Sequence, residues 1–245
     1  MIVEIGVAEV VPDRSAVLAA MDVSGGAQAR PHLDELADSA LRAFAKTAAP
    51  VGIVADASRE EFAEIYAGAP GNAPDSVVAD VFPRAEALSL FVVTLGSATS
   101  EAVARGFAEH DFAAAAVLDA VASEAADRAA EVVERRVERR LRDEGRLGGD
   151  GVALRYSPGY CGWNVGGQAA LFRRLEPERI GVRLTDGGFM RPEKSVSGVI
   201  LAGPRSIHRV TPTYPFCASC VAHGCRVRLR ALFGRGTSVG PETPA

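Results

Sequence analysis

Tryptophan occurs once in the 245 residues, methionine three times and histidine four times. A mechanism built on histidine therefore has few candidates. None of His32, His110, His208 and His223 stands in a spacing that supports a Ser-His-Asp or Cys-His arrangement. Basic residues are not in excess: 27 Lys and Arg against 31 Asp and Glu leave a formal charge of -4, so no nucleic-acid footprint is expected. No apolar run reaches the roughly eighteen residues of a spanning helix. The opening MIVEIGVAEV lacks a basic n-region and a long apolar h-region, so no signal peptide is predicted and the cytoplasm is the expected location. Cysteine is scarce too, and in a reducing compartment the four present, Cys161, Cys217, Cys220 and Cys225, are not expected to form structural disulfides.

What is present is an ordinary globular balance, 48% hydrophobic and 24% charged, in a chain long enough to bury a core. Residues 1–10 alternate as a strand does, and a short helix is predicted over 13–21. Leu33, Leu36, Ala37, Ala40, Leu41 and Phe44 recur at helical spacing over 31–46, and Pro50 ends that helix before a short strand at 51–54. GAPGNAPD at 68–75 reads as a loop, ALSLFVVTL at 87–95 as a buried strand and 97–106 as a short helix. The longest predicted helix runs from Asp111 to Glu144, and the charges of its second half, Glu134 to Arg140, read as a solvated face. Strands are expected at 152–155, 180–184 and 196–202, and a helix at 165–175. Strands and helices mix without a regular βαβ rhythm, so the expected class is α+β, a mixed or antiparallel sheet with flanking helices.

One stretch is out of keeping with the rest. RYSPGYCGWNVGGQ, Arg155 to Gln168, crowds an Arg, two Tyr, a Cys and the lone Trp around a Pro-Gly turn. A plain surface loop has little use for Trp or Cys, and a plain core segment has little use for Pro-Gly and Arg. The stretch reads as a loop that positions groups for a ligand. Trp163 and the helix after it are expected to anchor the turn by burying apolar surface.

Arg155-x-x-Pro158-Gly159-Tyr160, followed by Leu184-Thr185-Asp186 and then Met190-x-Pro192-x-x-Ser195-Val196-Ser197-Gly198, resembles the activation domain of cobalamin-dependent methionine synthase. The resemblance covers roughly Leu90 to Gly203 and takes in the helix carrying AADRAAE at 125–131. It implies binding of S-adenosylmethionine and methylation of cob(II)alamin with one electron from a donor such as flavodoxin or ferredoxin. It implies residue roles as well. Arg155 matches the family Arg that contacts the carboxylate of S-adenosylmethionine, a task that suits a planar fork. Tyr160 matches the Tyr beside the sulfonium that faces the corrin, which makes it the candidate catalytic residue. Glu131 matches the Glu that helps hold the ligand's amino group. Asp150 is the nearest match to an acidic residue before the Arg. Ser157 and Gly159 are expected to line the site through their backbone. Without the resemblance, Glu131 reads as one more exposed helical Glu, and Arg155 is open to being a structural partner for a nearby carboxylate and Tyr160 a half-buried tyrosine with a satisfied hydroxyl. Met190 reads as core or pocket wall, and Ser195 and Ser197 as structural.

The Asp-x-His-x-x-Gly mark of the family's cobalamin-carrying module does not occur. The expectation is a free-standing activation domain that meets cobalamin on a partner, either a truncated methionine synthase or another corrinoid protein. The alternative is a docking module or chaperone for a corrinoid methyltransfer protein, with no methyl transfer of its own. Cys217-x-x-Cys220-x-x-x-x-Cys225 brings three thiolates within reach of one metal, with Cys161 as the natural fourth. Zinc, an iron–sulfur cluster relaying the electron, and free thiols are all open; His223 is a possible substitute ligand. The expected organisation is an N-terminal α/β part at 1–86, the activation-domain core at 87–210, a Cys-rich metal-binding element at 211–233 and a disordered tail at 234–245.

Overall fold

From the N-terminus the chain forms strand β1 (Ile2–Glu4), helices α1 (Val7–Val10), α2 (Arg14–Ala20) and α3 (Arg30–Thr47), and strand β2 (Val51–Ala57). Helices α4 (Arg59–Ala67) and α5 (Val77–Val81) precede strand β3 (Ala87–Thr94), which leads into helices α6 (Ser97–Ala108) and α7 (Phe112–Asp143). Strand β4 (Gly151–Tyr156), helix α8 (Gly167–Leu175) and strands β5 (Arg183–Leu184), β6 (Met190–Arg191) and β7 (Ser195–Pro204) complete the series. This computed structural model describes residues 1–21, 30–73, 76–209 and 232–233. Cys217, Cys220, Cys225, His223 and the tail from 234 lie outside the described residues.

Five strands form one sheet in the order β1-β2-β3-β7-β4, and β5 and β6 form a two-stranded ribbon. The pairings β1–β2, β4–β7 and β5–β6 are antiparallel. Helices with an antiparallel sheet are the expected α+β class. Every residue of β3 is buried, which fits its unbroken apolar run: a strand covered on both faces has no reason to alternate.

The described residues cluster into two units, one within 1–53, 92–133 and 176–196, the other within 54–91, 134–175 and 197–245. In the first, α2 packs on α3, and Val10, Val17, Phe44, Leu95 and Val121 are fully buried. Ser195 is hydrogen-bonded to the Thr94 hydroxyl and to the Pro192 carbonyl, both at 2.8 Å. In the second unit α4 packs on α8, around buried Phe62, Phe91, Trp163, Leu171 and Ile200.

The predicted strand over 1–10 is shorter than expected. The Glu9 carboxylate accepts from the Gly6 N–H at 2.8 Å and turns the chain into α1. Over 180–184 a 3-10 turn at Pro177–Ile180 and a left-handed Gly181 leave only two residues of strand. Helix α4 was not anticipated, although Ser58 and Glu61 cap each other reciprocally at 2.8 and 3.1 Å, a signature readable as Ser-x-x-Glu. The short α5 and β6 are likewise absent from the predicted elements.

Candidate functional site

The candidate site is built on the end of β4. Arg155 is the fifth residue of that strand and Tyr156 the last; the chain then turns sharply through Ser157 to Trp163. Tyr160 N–H donates to the Ser157 carbonyl at 3.2 Å, Trp163 N–H to the Tyr160 carbonyl at 2.9 Å, and Gly159 N–H to the Trp163 carbonyl at 2.7 Å. Gly159 and Gly162 have φ of 89° and 79°, and Cys161, with φ 54°, shares the left-handed region. Positive φ values favour Gly and carry a strain penalty for Cys.

The turn is also held from outside. The Ser76 hydroxyl donates to the Cys161 carbonyl at 2.9 Å, and Ala73 N–H donates to the Gly162 carbonyl at 2.9 Å. Asn72 accepts from Asn164 N–H at 2.8 Å and donates to the Tyr66 carbonyl at 2.6 Å. Trp163, 1% exposed, meets Phe62 edge-on at 5.4 Å and Tyr66 at 6.2 Å. This is the anchoring expected of the lone Trp. What the anchored turn presents outward is Tyr160, which is 51% exposed.

Arg155 itself is buried. It lies against Glu134 of α7: its guanidinium is 3.4 Å from Oε2, and its backbone N–H donates to the same oxygen at 2.7 Å. Glu138 accepts from Ala153 N–H at 3.2 Å, and Arg142 donates to the Gly151 carbonyl. Thus α7 lines the open edge of β4 with side chains four residues apart. Four helical residues rise about 6 Å and two strand residues about 6.8 Å, so the two series stay in step. This corrects the reading of the second half of α7 as a solvated face. Arg135 and Arg139 are exposed, but Glu134 is buried and Glu138 is half-buried. An edge strand leaves backbone donors that must find acceptors, and these carboxylates supply them.

Two further groups shape the same unit. Tyr156 hydroxyl and His208 Nδ1 are 2.9 Å apart with the rings stacked. His208 is fully buried, and burial, reinforced by the Arg84 charge and opposed by the Val152 backbone, pushes its pKa down to about 4. Asp56 of β2 accepts from Arg140, Arg146 and Ser89. Burial alone would raise its pKa, but these hydrogen bonds outweigh it and hold the carboxyl well below the usual range. In the other unit, a concavity of about 450 Å³ is bordered by Ser97, Ser100 and Glu101 of α6 and by Arg183, Arg191 and Pro192. None of the expected site residues borders it.

A sequence-family model described as the vitamin B12 dependent methionine synthase activation domain matches residues 71–210. The chain belongs to this family. The match takes in β4, the turn and both downstream motifs. Among solved structures, the MetH reactivation domain bound to AdoHcy matches with a TM-score of 0.57 at 18% identity, over 82% of this chain and 77% of that one. That likeness concerns the fold. No curated protein sequence matches the chain.

Within the activation-domain fold, Arg155, Ser157, Gly159, Tyr160 and Cys161 occur together at the end of β4 and in its turn. Asp150 does not join them. It is exposed at the opposite end of β4, and five residues of extended chain put roughly 17 Å between it and Arg155. Glu131 is half-buried on α7, one turn before Glu134. Among the described residues no group of three His, Cys, Asp or Glu side chains is placed to hold a metal. Cys161 is the one cysteine of the four within them. No described helix is long and apolar enough to cross a membrane.

Gly198 has a local reason. A Cβ there would sit 2.2 Å from the Tyr156 carbonyl oxygen and 3.0 Å from the Phe91 ring, so only Gly lets β7 approach the end of β4 this closely. Glu134 is the residue that sequence reasoning missed. The sequence carries no distinct signal for it, because Glu134, Glu138 and Arg142 at spacings of four also fit a solvated helix face with local ion pairs.

Proposed function

We propose that this chain transfers a methyl group from S-adenosylmethionine to cobalamin carried by a partner protein, and so returns an oxidised corrinoid to service. In the overall balance, cob(II)alamin takes one electron from an external donor such as flavodoxin or ferredoxin. A cobalt–carbon bond forms, the sulfonium carbon–sulfur bond breaks, and S-adenosylhomocysteine leaves with the electron pair. The partner is a methionine synthase lacking this domain or another corrinoid protein.

The observation that carries the reading is the rigidly tied turn, with buried Arg155 on one side of it and exposed Tyr160 on the other. A protein performing this reaction needs little acid–base chemistry. It must bind the amino-acid end of the ligand and hold the methyl in line with cobalt. Arg155 would clamp the carboxylate, Tyr160 would face the corrin beside the sulfonium, Glu131 would take the ammonium, and the Ser157 and Gly159 backbone would border the ligand. The solved neighbour's bound AdoHcy, the product of such a transfer, supports the choice of ligand.

Titration calorimetry with S-adenosylmethionine tests the reading. Wild type should bind, and Arg155→Ala should lose at least about tenfold, the order expected when a charged hydrogen-bond donor is removed. Wild type that binds neither S-adenosylmethionine nor S-adenosylhomocysteine, alone or with cobalamin present, would overturn it in favour of a docking module. Cys161, Cys217, Cys220 and Cys225 are proposed as a metal site for zinc or an iron–sulfur cluster. Metal analysis and visible spectroscopy of anaerobically purified protein separate the two, and metal-free thiols would overturn both.

A further inference from the structure

We propose that Glu134 is the positioning residue for the Arg155 guanidinium, a role that rests on the reading of Arg155 as the carboxylate clamp. The motif and the downstream serine-rich strand do not include Glu134, and its place becomes evident only from the packing of α7 against β4. One carboxylate oxygen receives both the Arg155 backbone N–H at 2.7 Å and a guanidinium nitrogen at 3.4 Å. The backbone bond fixes the carboxylate. The fixed carboxylate then restricts a side chain whose long stem otherwise samples many rotamers. Both side chains are more than nine-tenths buried, at 5% and 9% exposure, so the pair forms in a medium where the guanidinium needs a counter-charge to remain in place. A clamp held in one orientation before the ligand arrives has less to lose on binding.

Glu138 supplies an internal control. It is half-buried on the same helix one turn later, accepts from the Ala153 N–H at 3.2 Å, and is ion-paired with Arg142 at 2.8 Å. It performs the same service for the edge of β4 as Glu134. Any effect of weakening that edge should follow from either residue, whereas an effect on the clamp should follow from Glu134 alone.

The experiment compares wild type, Glu134→Gln and Glu138→Gln in calorimetric titrations with S-adenosylmethionine and with its decarboxylated analogue. Glutamine keeps an oxygen for the backbone N–H and removes the Glu134 charge from beside the guanidinium. Thermal melts confirm that each variant is folded. Wild type should prefer S-adenosylmethionine, and Glu134→Gln should lose about tenfold of that preference. Its affinity for the analogue should be unchanged, and Glu138→Gln should behave as wild type with both ligands. Loss of preference in both variants, or in neither, would overturn the role of Glu134 while leaving the clamp intact. Wild type that fails to distinguish the two ligands would instead overturn the clamp itself, and this proposal with it.

Discussion

Arg155 and Glu134 meet twice, once through the guanidinium and once through the Arg155 backbone N–H, at a single carboxylate oxygen. Removing Glu134 takes a counter-charge from beside a buried guanidinium and an acceptor from the edge of β4. Glu134→Ala should therefore destabilise the fold by about 3–5 kcal/mol. Urea denaturation checks this. A loss below about 1 kcal/mol would mean that the pair is solvated in solution.

His208 predicts an acid-side loss of stability. Its folded pKa, about 4, lies below the ordinary 6.5. Between these values the unfolded chain binds the proton and the folded one does not, so stability rises with pH across this window and falls on acidification. The full effect is roughly 3 kcal/mol, present above pH 6.5 and lost progressively toward pH 4. His208→Gln should flatten this part of the stability curve, and an unchanged slope would assign it to other groups.

Gly198→Ala tests the close approach of β7 to β4. The new methyl group meets a backbone carbonyl, which cannot rotate aside as a side-chain tip can. Destabilisation of about 2–3 kcal/mol is expected, read by urea denaturation. Fluorescence of the single tryptophan, Trp163, would report whether the turn moves as well. Wild-type stability would show that the strands stand further apart.

Asp56→Asn should weaken two ion pairs at once, those with Arg140 and Arg146, both of which also lie near Glu144. About a third of the Asp56 side chain is exposed, so screening limits the effect to about 1–2 kcal/mol, and added salt should reduce it. With its folded pKa lowered, this contribution is present above the unfolded carboxylate value and is lost as the pH falls below it. A difference between wild type and variant that is insensitive to salt would contradict the ion-pair account.

Much of the fold was legible because its periods are strong. The 3.6-residue repeat of α3 and α7 and the apolar run of β3 each exceed what local turn chemistry could disguise. Short elements were less legible. Helix α1 opens where one carboxylate reaches back to the Gly6 N–H, and β5 is cut short by a left-handed glycine, both within windows too small for a period to register. In the candidate site, Trp163 could be identified as an anchor because a tryptophan beside a Pro-Gly turn has few other uses. Glu134 could not, because a glutamate among arginines on a long helix has the same composition whether water or a strand edge faces it.

The sequence by itself determined the family, the α+β class and the turn that carries Arg155 and Tyr160, since these rest on residue type and local spacing. Tertiary structure alone decided which charges of α7 are buried and which carboxylate holds Arg155. The physical reason is that hydrogen-bond partners of a strand edge come from a helix distant in sequence, and nothing local selects them. That pairing appears only when helix and strand lie side by side, with four residues of one matching two of the other.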